Sequence, residues 1–237
     1  MKLREIFTQL SQGEFRQKSL GGAEESGILE VNYPKVVPHI WLGLTEIYKR
    51  FPLKTKQVTI QQYGHISNYF LDTRYAETNT TSLEPYKYIK DTQFQPFDDN
   101  DDVLKIERVF DENGTPYPMN DDKEVLSIFT PSYNQIQVPF NDADNAMTVQ
   151  YRANHPKIPF EGEGVLDQEI LISPTYLQPL LLFIAGRYYS TSGNAESQAA
   201  GDKFNARFEL SCADIERLNL GIEDHTSNEK LEDRGFV

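Results

Sequence analysis

The most restrictive feature of this sequence is the stretch LQPLLLFIAGRYYS, residues Leu177–Ser190, which contains six consecutive apolar residues at positions 180–185. The rest of the chain is polar, with a mean hydropathy of −0.56 and a formal net charge of −13. A membrane-spanning helix needs about 18 or more consecutive apolar residues, and Arg187 closely follows this run. We therefore predict a buried helix and no membrane anchoring.

A helix formed by this stretch is apolar on more than one side. Leu177, Leu181 and Ile184 fall on one side, whereas Leu180 and Phe183 fall on another. Such a helix must be covered over most of its circumference. The cover comes either from other helices of the same chain, as in a small bundle, or from a neighbouring subunit. The sequence leaves both sources open.

Two further segments near the start of the chain repeat apolar residues at helical spacing. The first contains Leu3, Ile6, Phe7 and Leu10. The second contains Val36, Ile40, Leu44, Ile47 and Phe51. Proline is tolerated in the first turn of a helix, where its missing N–H is not needed. We therefore expect the regular part of the second helix to begin close to Pro38 and to end at Pro52. A polar, glycine-containing connector at residues 11–27 separates the two helices.

The end of the chain also predicts helices. Ser173 and Pro174 are a typical start for the helix of the apolar stretch. Asn194 is the expected N-cap of a last helix, with Gly221 as its stop. The apolar stripe of that last helix consists of Ala200, Phe204, Phe208, Cys212 and Ile215. Residues 222–237 are polar until Phe236 and Val237, and we interpret them as an extended arm.

Between these helical segments the period changes to that of strands. Strands are predicted at 57–61, 103–110, 125–129, 135–138, 147–151 and 165–172, with a hairpin turn at Asn113-Gly114. The predicted fold class is therefore α+β, a helical bundle built from N- and C-terminal segments with an inserted antiparallel β-rich region. The predicted boundaries are 1–53 for the N-terminal helices, 54–172 for the insertion, 173–221 for the C-terminal helix pair and 222–237 for the arm.

The residues that could carry chemistry are scattered. None of the four histidines pairs at a metal-ligand spacing, and Cys212 falls on an apolar helix stripe. The acidic segment 98–102 fails as an EF-hand loop, because Val103 stands where the turn glycine is required. We predict no catalytic residues, no metal and no cofactor, and we interpret the acidic segment as a solvated loop.

Charge and cysteine content limit the partners and the compartment. The chain has 36 acidic and 23 basic residues, and tight binding to nucleic-acid phosphates needs a basic patch that no run of Lys and Arg supplies. The single cysteine fits a reducing compartment. The first residues are charged from the start, which is not typical of a signal peptide.

Several segments together resemble the head-to-tail connector (adaptor, or neck ring) proteins of short-tailed bacteriophages, distantly the tail tubular protein A type. VVPHIWLGLTEIYKRFPLKTKQVTIQ is similar to their first bundle helix and its exit into the β-insertion. VLKIERVFDENGTPYPMND, SIFTPSYNQIQVPF and MTVQYRANHPKI are similar to the insertion. The sequence from ILISPTYLQPLLLFIAGRYYS to ADIERLNL resembles the C-terminal helix pair, and LSQGEF also matches.

This resemblance implies a structural virion protein without enzymatic activity. Such proteins form a homo-oligomeric ring, typically a dodecamer, beneath the portal protein at the capsid vertex. They carry the tail or nozzle ring protein and line the channel through which double-stranded DNA is ejected. The implied localisation is the tail neck of a virion assembled in the host cytoplasm.

The resemblance also implies roles for individual residues. Subunit-body and ring contacts would include Leu180, Phe183, Phe204 and Phe208. Phe236 and Val237 would belong to an arm that docks on the portal or on a neighbour. Residues 98–102 would face the channel and repel DNA, or be outer loops.

A second hypothesis comes from a different class of protein. The chain could be a soluble glycan-binding or carboxylate-based hydrolytic protein that uses its β-rich region. Tyr63, Tyr69, Tyr86 and Tyr88 would then form a stacking platform, although aromatic residues in sheets are also common packing residues.

Overall fold

The structure, a computed structural model, describes residues 1–16, 20, 27–97, 103–139, 145–159, 161–162, 164–191 and 194–218. Over these residues the fold is α+β, with four α-helices and two antiparallel sheets. The helices are α1 (Leu3–Gln12), α2 (Tyr33–Arg50), α3 (Leu177–Ser190) and α4 (Ala195–Arg217). The strands are β1 (Thr55–Gln61), β2 (Asn68–Phe70), β3 (Ile89–Lys90), β4 (Val103–Phe110), β5 (Phe129–Ser132), β6 (Gln135–Gln137) and β7 (Ala146–Ala153).

The strands form one sheet of four strands and one of three. The larger sheet has the order β3-β1-β7-β4, and the smaller has the order β2-β6-β5. β1 pairs with β7 over its whole length, from Thr55 opposite Arg152 to Gln61 opposite Ala146. The pairing between β1 and β3 is much shorter and covers only Thr59 and Ile60. One side of β1 is therefore mostly unpaired within this sheet.

The described residues have two apolar cores. The sheet core is built from alternate strand residues and a few loop residues, including Ile60, Tyr69, Val109, Ile136 and Val149. The helical core collects residues from all four helices, and α3 contacts α1, α2 and α4. Ile158, Val165 and Ile170, from the segment between β7 and α3, are also buried in the helical core. That segment connects the sheets to the helices and belongs to the helical core.

Glycine allows the helices to approach closely at two crossings. A Cβ atom at Gly43 of α2 would lie 2.8 Å from Leu180 Cδ1 and 2.9 Å from Phe183 Cδ1. A Cβ atom at Gly201 of α4 would lie 2.9 Å from the backbone nitrogen of Ser190. These distances are shorter than normal van der Waals contact. A side chain at Gly201 would meet backbone and force α3 and α4 apart, whereas one at Gly43 would displace the side chains of Leu180 and Phe183.

Several predictions are confirmed. α1 buries Leu3, Ile6, Phe7 and Leu10 as its apolar spacing predicts. Asn194 caps α4, because its side-chain oxygen accepts a hydrogen bond of 2.7 Å from Ser197 N–H. β4 has the predicted bounds, and the turn after it contains Gly114 at φ 85°. A positive φ is unfavourable for residues with a Cβ atom, which explains glycine at this point.

The predicted start of α2 is wrong. The helix begins at Tyr33, about a turn before Pro38, and Pro38 lies inside it. An interior proline removes one helical hydrogen bond. Tyr33, Val36 and Val37 are all buried, and their burial offsets that loss because each large apolar side chain contributes about 1.5–3 kcal/mol.

The strand predicted at 125–129 is also wrong, since β5 begins only at Phe129. Val125 and Leu126 lie in turns and are exposed. The Asp121 carboxylate accepts a hydrogen bond of 3.0 Å from Lys123 N–H, and the Asp121 carbonyl accepts one from Glu124 N–H. These local bonds favour a turn over an extended strand.

The strand predicted at 165–172 is wrong as well. Val165–Asp167 form a 3-10 turn, and no strand of either sheet includes the residues that follow. The segment instead pairs with the start of the chain, where Leu3 N–H donates to Gln168 O and Ile170 N–H donates to Met1 O. Its apolar residues are buried among helices, so their strand-like spacing does not indicate a strand of a sheet.

Other predictions fall on residues outside the described ranges. These are most of the connector at 11–27, the acidic segment 98–102, the stop at Gly221, and the arm at 222–237 with Phe236 and Val237.

Candidate functional site

The helical face around α3 holds the residues for which the sequence predicted contacts. Leu180, Ile184 and Ala185 are 0% exposed, and Leu181 and Leu182 are also buried. The chain itself therefore covers α3 on several sides. At these positions the apolar stretch is covered by its own chain, and little of its surface is left for a neighbouring subunit.

The four predicted contact residues separate into two pairs. Leu180 and Phe208 are buried inside the chain. Phe183 and Phe204 are only partly buried. The Phe183 ring packs 5.3 Å from the Phe208 ring, measured between centroids, and the Phe204 ring packs 5.4 Å from that of Tyr189. Phe183 and Phe204 are thus the members of the set with surface available to another molecule.

A groove runs along the surface beside Phe204. It has a volume of about 440 Å³ and is lined by Gly13, Glu14, Arg16, Tyr189, Ala200, Phe204 and Arg207. The Tyr189 hydroxyl donates a hydrogen bond of 2.9 Å to the Glu14 carbonyl, which joins α3 to the turn that follows α1. The groove therefore combines two guanidinium groups with two aromatic rings, a mixture that is common in protein interfaces.

The helices meet the larger sheet through a buried polar junction. Asn154, just after β7, donates a hydrogen bond of 2.9 Å from its side chain to Thr45 Oγ1 of α2. The Tyr48 hydroxyl, also on α2, donates to the Leu171 carbonyl. Buried polar groups that keep hydrogen-bond partners fix one geometry, because losing a partner costs about 1–3 kcal/mol. The junction thus sets the position of the sheet relative to α2.

His155 completes this junction in a defined neutral form. Its Nδ1–H donates to the Pro156 carbonyl at 2.7 Å, and its Nε2 accepts from Leu171 N–H at 3.0 Å. Burial lowers the pKa of His155, with a smaller contribution from the charge of Lys54. Protonation would place a second N–H against that of Leu171, so the junction requires the neutral ring.

Arg152 forms an ionic connection beside this network. Its guanidinium pairs with the Glu107 carboxylate of β4, and it donates a hydrogen bond of 2.8 Å to the Lys49 carbonyl near the end of α2. The Glu107 side chain is only 6% exposed. A nearly buried carboxylate needs this partner, so Arg152 connects the sheet to the helix C-terminus, where positive charge is favourable.

A more exposed ionic cluster joins α2 to α4. Arg50 donates to Glu216 Oε1 at 2.7 Å and to Glu209 Oε2 at 2.9 Å. The hydrogen bond from Arg50 lowers the pKa of Glu216. Cys212, which lies between these glutamates in sequence, is fully buried, and burial raises its pKa to about 11. A thiol with that pKa is protonated at neutral pH and is a poor nucleophile.

The described residues hold no group of three His, Cys, Asp or Glu side chains that could bind a metal ion. Burial and the charge of Arg187 lower the pKa of His39 on α2. His65 lies at the surface with its ring 4.5 Å from that of Tyr86. His39, His65 and His155 therefore lie in three different environments.

The platform of four tyrosines does not form one surface. Tyr69 and Tyr88 are buried in the sheet core, with their rings 5.0 Å apart and perpendicular. Tyr86 is exposed and Tyr63 is partly exposed, at a ring distance of 5.5 Å. The hypothesis of a stacking platform is therefore wrong for Tyr69 and Tyr88, which are packing residues.

None of the helices in the described part of the chain is long and apolar enough to span a membrane. No protein-family model matches the sequence, and no curated protein is significantly similar to it.

Proposed function

We propose that this chain is a structural virion protein that forms a ring, joins the portal at the capsid vertex to the tail, and lines the channel for DNA ejection. The observation that carries the proposal is the layout of the chain. Helices from both ends pack around α3, and residues 55–153 between them form the sheets. The segments that resemble head-to-tail connector proteins follow the same order. The proposed activity is assembly, without catalysis.

In this proposal the four helices form a bundle that is the body of the subunit. α3 is its central helix, since it contacts each of the other three. The close crossings at Gly43 and Gly201 support a rigid body, because helices in such contact cannot shift without steric overlap. A rigid subunit is what a ring under internal DNA pressure requires.

The ring contacts would use surface that the subunit itself does not cover. Phe183 and Phe204 are partly exposed, and Leu210 of α4 and Leu218, directly after α4, are exposed. Apolar side chains at a surface stabilise association when a neighbour covers them. Only the resemblance to connector proteins supports a ring of twelve subunits.

The acidic balance of the chain fits a channel that conducts DNA without binding it. The net charge is −13, and repulsion between carboxylates and phosphates extends over about 8 Å at physiological salt. Double-stranded DNA would pass without sequence-specific contact. The acidic segment 98–102 is our candidate for the channel wall, and the arm with Phe236 and Val237 is our candidate for portal docking.

The mass of the purified protein, alone and mixed with its portal, tests the proposal. We expect either a ring-sized species of the protein alone or a species that migrates with portal particles. A monomer under both conditions that never migrates with the portal would contradict it.

Removal of residues 222–237 tests the docking arm separately. The described core ends at Ile215, so we expect an unchanged melting temperature and weaker binding to the portal. Undiminished binding would remove the arm from the proposal.

A further inference from the structure

The groove beside Phe204 carries two guanidinium groups that the subunit itself does not neutralise. Arg16 and Arg207 line the groove and are exposed. Neither side chain forms an ion pair within the described part of the chain. Glu14 also lines the groove, which leaves one excess positive charge in a chain whose formal net charge is −13. The groove therefore favours an acidic occupant.

Aromatic side chains give the same groove an apolar part. Tyr189 and Phe204 are both partly exposed, and their ring centroids lie 5.4 Å apart. Ala200, one turn before Phe204 on α4, adds only a methyl group to the lining. The volume of about 440 Å³ gives room for a few side chains. A matching occupant therefore combines exposed carboxylates with exposed apolar side chains in one short segment.

The turn at residues 121–126, with the sequence DDKEVL, has this combination. Asp122 and Glu124 are exposed and form no ion pair with any residue that the structure describes. Val125 is 86% exposed, and Leu126 is 54% exposed. The turn carries three carboxylates and one ammonium group, so its charge is opposite to that of the groove.

Local hydrogen bonds fix the shape of the turn. Ser127 N–H donates to the Glu124 carbonyl at 3.2 Å, and Asp121 N–H donates to Ser127 Oγ at 3.0 Å. Ser127 and Ile128 are both 0% exposed, and Ile128 belongs to the sheet core. A segment that is already ordered loses little conformational freedom when it binds. The turn is therefore a preformed contact element.

The groove and the turn lie on different parts of the subunit. The groove is lined by residues of α3, α4 and the turn after α1, whereas the turn at 121–126 is anchored in the sheet core. The exposure of Val125 and Leu126 shows that the turn does not fill the groove of its own chain. A contact between two different patches of identical subunits is heterologous, and it closes a ring when the rotation between subunits closes.

We propose that this groove binds the turn at residues 121–126 of a neighbouring copy of the chain. The carboxylates of Asp122 and Glu124 would pair with the two guanidinium groups, and Val125 would cover the Phe204 ring. Opposite charges would select the partner and its orientation, and the apolar contact would add affinity. This inference rests on the proposed ring, because it assigns one contact between neighbouring subunits.

A charge exchange between the two patches tests the contact. Arg207→Glu and Glu124→Arg each place like charges against one another, so each should weaken self-association of the full chain by about tenfold or more. The double variant restores opposite charges and should recover most of that loss. Lys157→Glu, at an exposed lysine outside the groove, is the matched control for Arg207→Glu and should associate as the original protein does. Sedimentation at several protein concentrations, with and without portal, measures association.

The same variants give the results that overturn the proposal. Equal association of Arg207→Glu and Lys157→Glu would contradict it, as would a double variant that associates no better than the single ones. If those variants still form rings, the contact is refuted and the proposed function stands. A protein that stays monomeric, both alone and with portal, would contradict the contact and the ring together.

Cross-linking identifies the occupant directly. A photo-reactive amino acid replaces Lys123 in the full chain, and light- and heavy-isotope copies are mixed and assembled with portal. Cross-links from position 123 to residues 200–207 of the other isotope are expected. Cross-links only within one copy, or only to another segment such as residues 219–237, would contradict the assignment.

Discussion

The helical and sheet regions of this protein use their apolar residues differently. In the helical region the most apolar stretch of the sequence is almost entirely covered by the chain itself, and Leu180 is 0% exposed. In the sheet region several large apolar residues project from loops, with Leu83 98% and Phe94 96% exposed. The apolar stretch of α3 is therefore covered by its own chain, whereas exposed apolar side chains remain on the sheet loops and, on α4, at Leu210.

Buried and exposed apolar residues therefore have different roles, since the buried ones stabilise the fold and the exposed ones can contact partners. The helical core holds one arrangement through close helix crossings, and the junction at Asn154, His155 and Arg152 transmits that arrangement to the sheet. In the sheet region β1 pairs with β3 only at Thr59 and Ile60, and the loops carry exposed apolar side chains. We expect substitutions in the helical core to change the free energy of unfolding, and substitutions of exposed apolar side chains, on α4 or on the sheet loops, to change association.

The largest effect is expected for Leu180→Ala. The side chain is fully buried against Gly43, so its removal leaves a cavity and should cost about 3–5 kcal/mol of unfolding free energy. Leu83→Ala is the matched control in the sheet region, because its side chain is exposed and should change stability by less than about 0.5 kcal/mol. Urea unfolding of both variants measures the contrast. A similar loss of unfolding free energy in both variants would contradict this difference between the two regions.

A somewhat smaller effect is expected at the junction, for Arg152→Met. This change leaves the Glu107 carboxylate nearly buried without its ionic partner, which should cost about 3 kcal/mol. The double variant Arg152→Met with Glu107→Leu should recover part of the loss, since two apolar side chains need no partner. Thermal and urea unfolding report both changes. A double variant that is less stable than the single one would contradict the ionic role of Arg152.

The third prediction concerns pH. The folded state lowers the pKa of His155 below 6.5, so the unfolded chain binds more protons once the pH falls to about that value. Stability is then fully present above pH 6.5 and decreases as the pH falls toward the folded pKa. His39 has a shift of the same sign. His155→Gln should therefore flatten, without abolishing, the difference in unfolding free energy between pH 7.5 and pH 5.5. An unchanged difference would show that the junction does not require the neutral ring.

The smallest effect is expected for Arg50→Ala. The side chains of Glu209 and Glu216, its partners on α4, are 66% and 50% exposed. Exposed ion pairs contribute about 0.2–1 kcal/mol, and salt screens them. The loss measured by urea unfolding should therefore shrink at high salt. A loss that does not depend on salt would instead indicate packing of the Arg50 alkyl chain.

The sequence predicts the helices well because each one has a long apolar period. The face formed by Val36, Ile40, Leu44 and Ile47 is buried as its spacing requires. Short apolar runs are less informative. Val125 and Leu126 alternate like a strand but lie in turns, because Asp121 offers local hydrogen bonds. Ile170 has strand-like neighbours but is buried among helices.

The junction could not be predicted from the sequence, because its partners are far apart along the chain. Asn154 and Thr45 are separated by 109 residues, and Tyr48 and Leu171 by 123. A polar pair such as Asn154-His155 after a strand is common in loops and gives no indication of burial. Only the apolar residues around the segment RANHPKI, residues 152–158, indicate that the pair is buried. The short pairing of β1 with β3 likewise depends on where β3 ends, which no local pattern specifies.

Electron microscopy of the protein mixed with its portal tests the central claim most directly. The proposal predicts a closed ring of identical subunits coaxial with the portal, with the helices in the ring body and a central channel wide enough for duplex DNA. Portal particles without added density, beside free monomers of this protein, would contradict it.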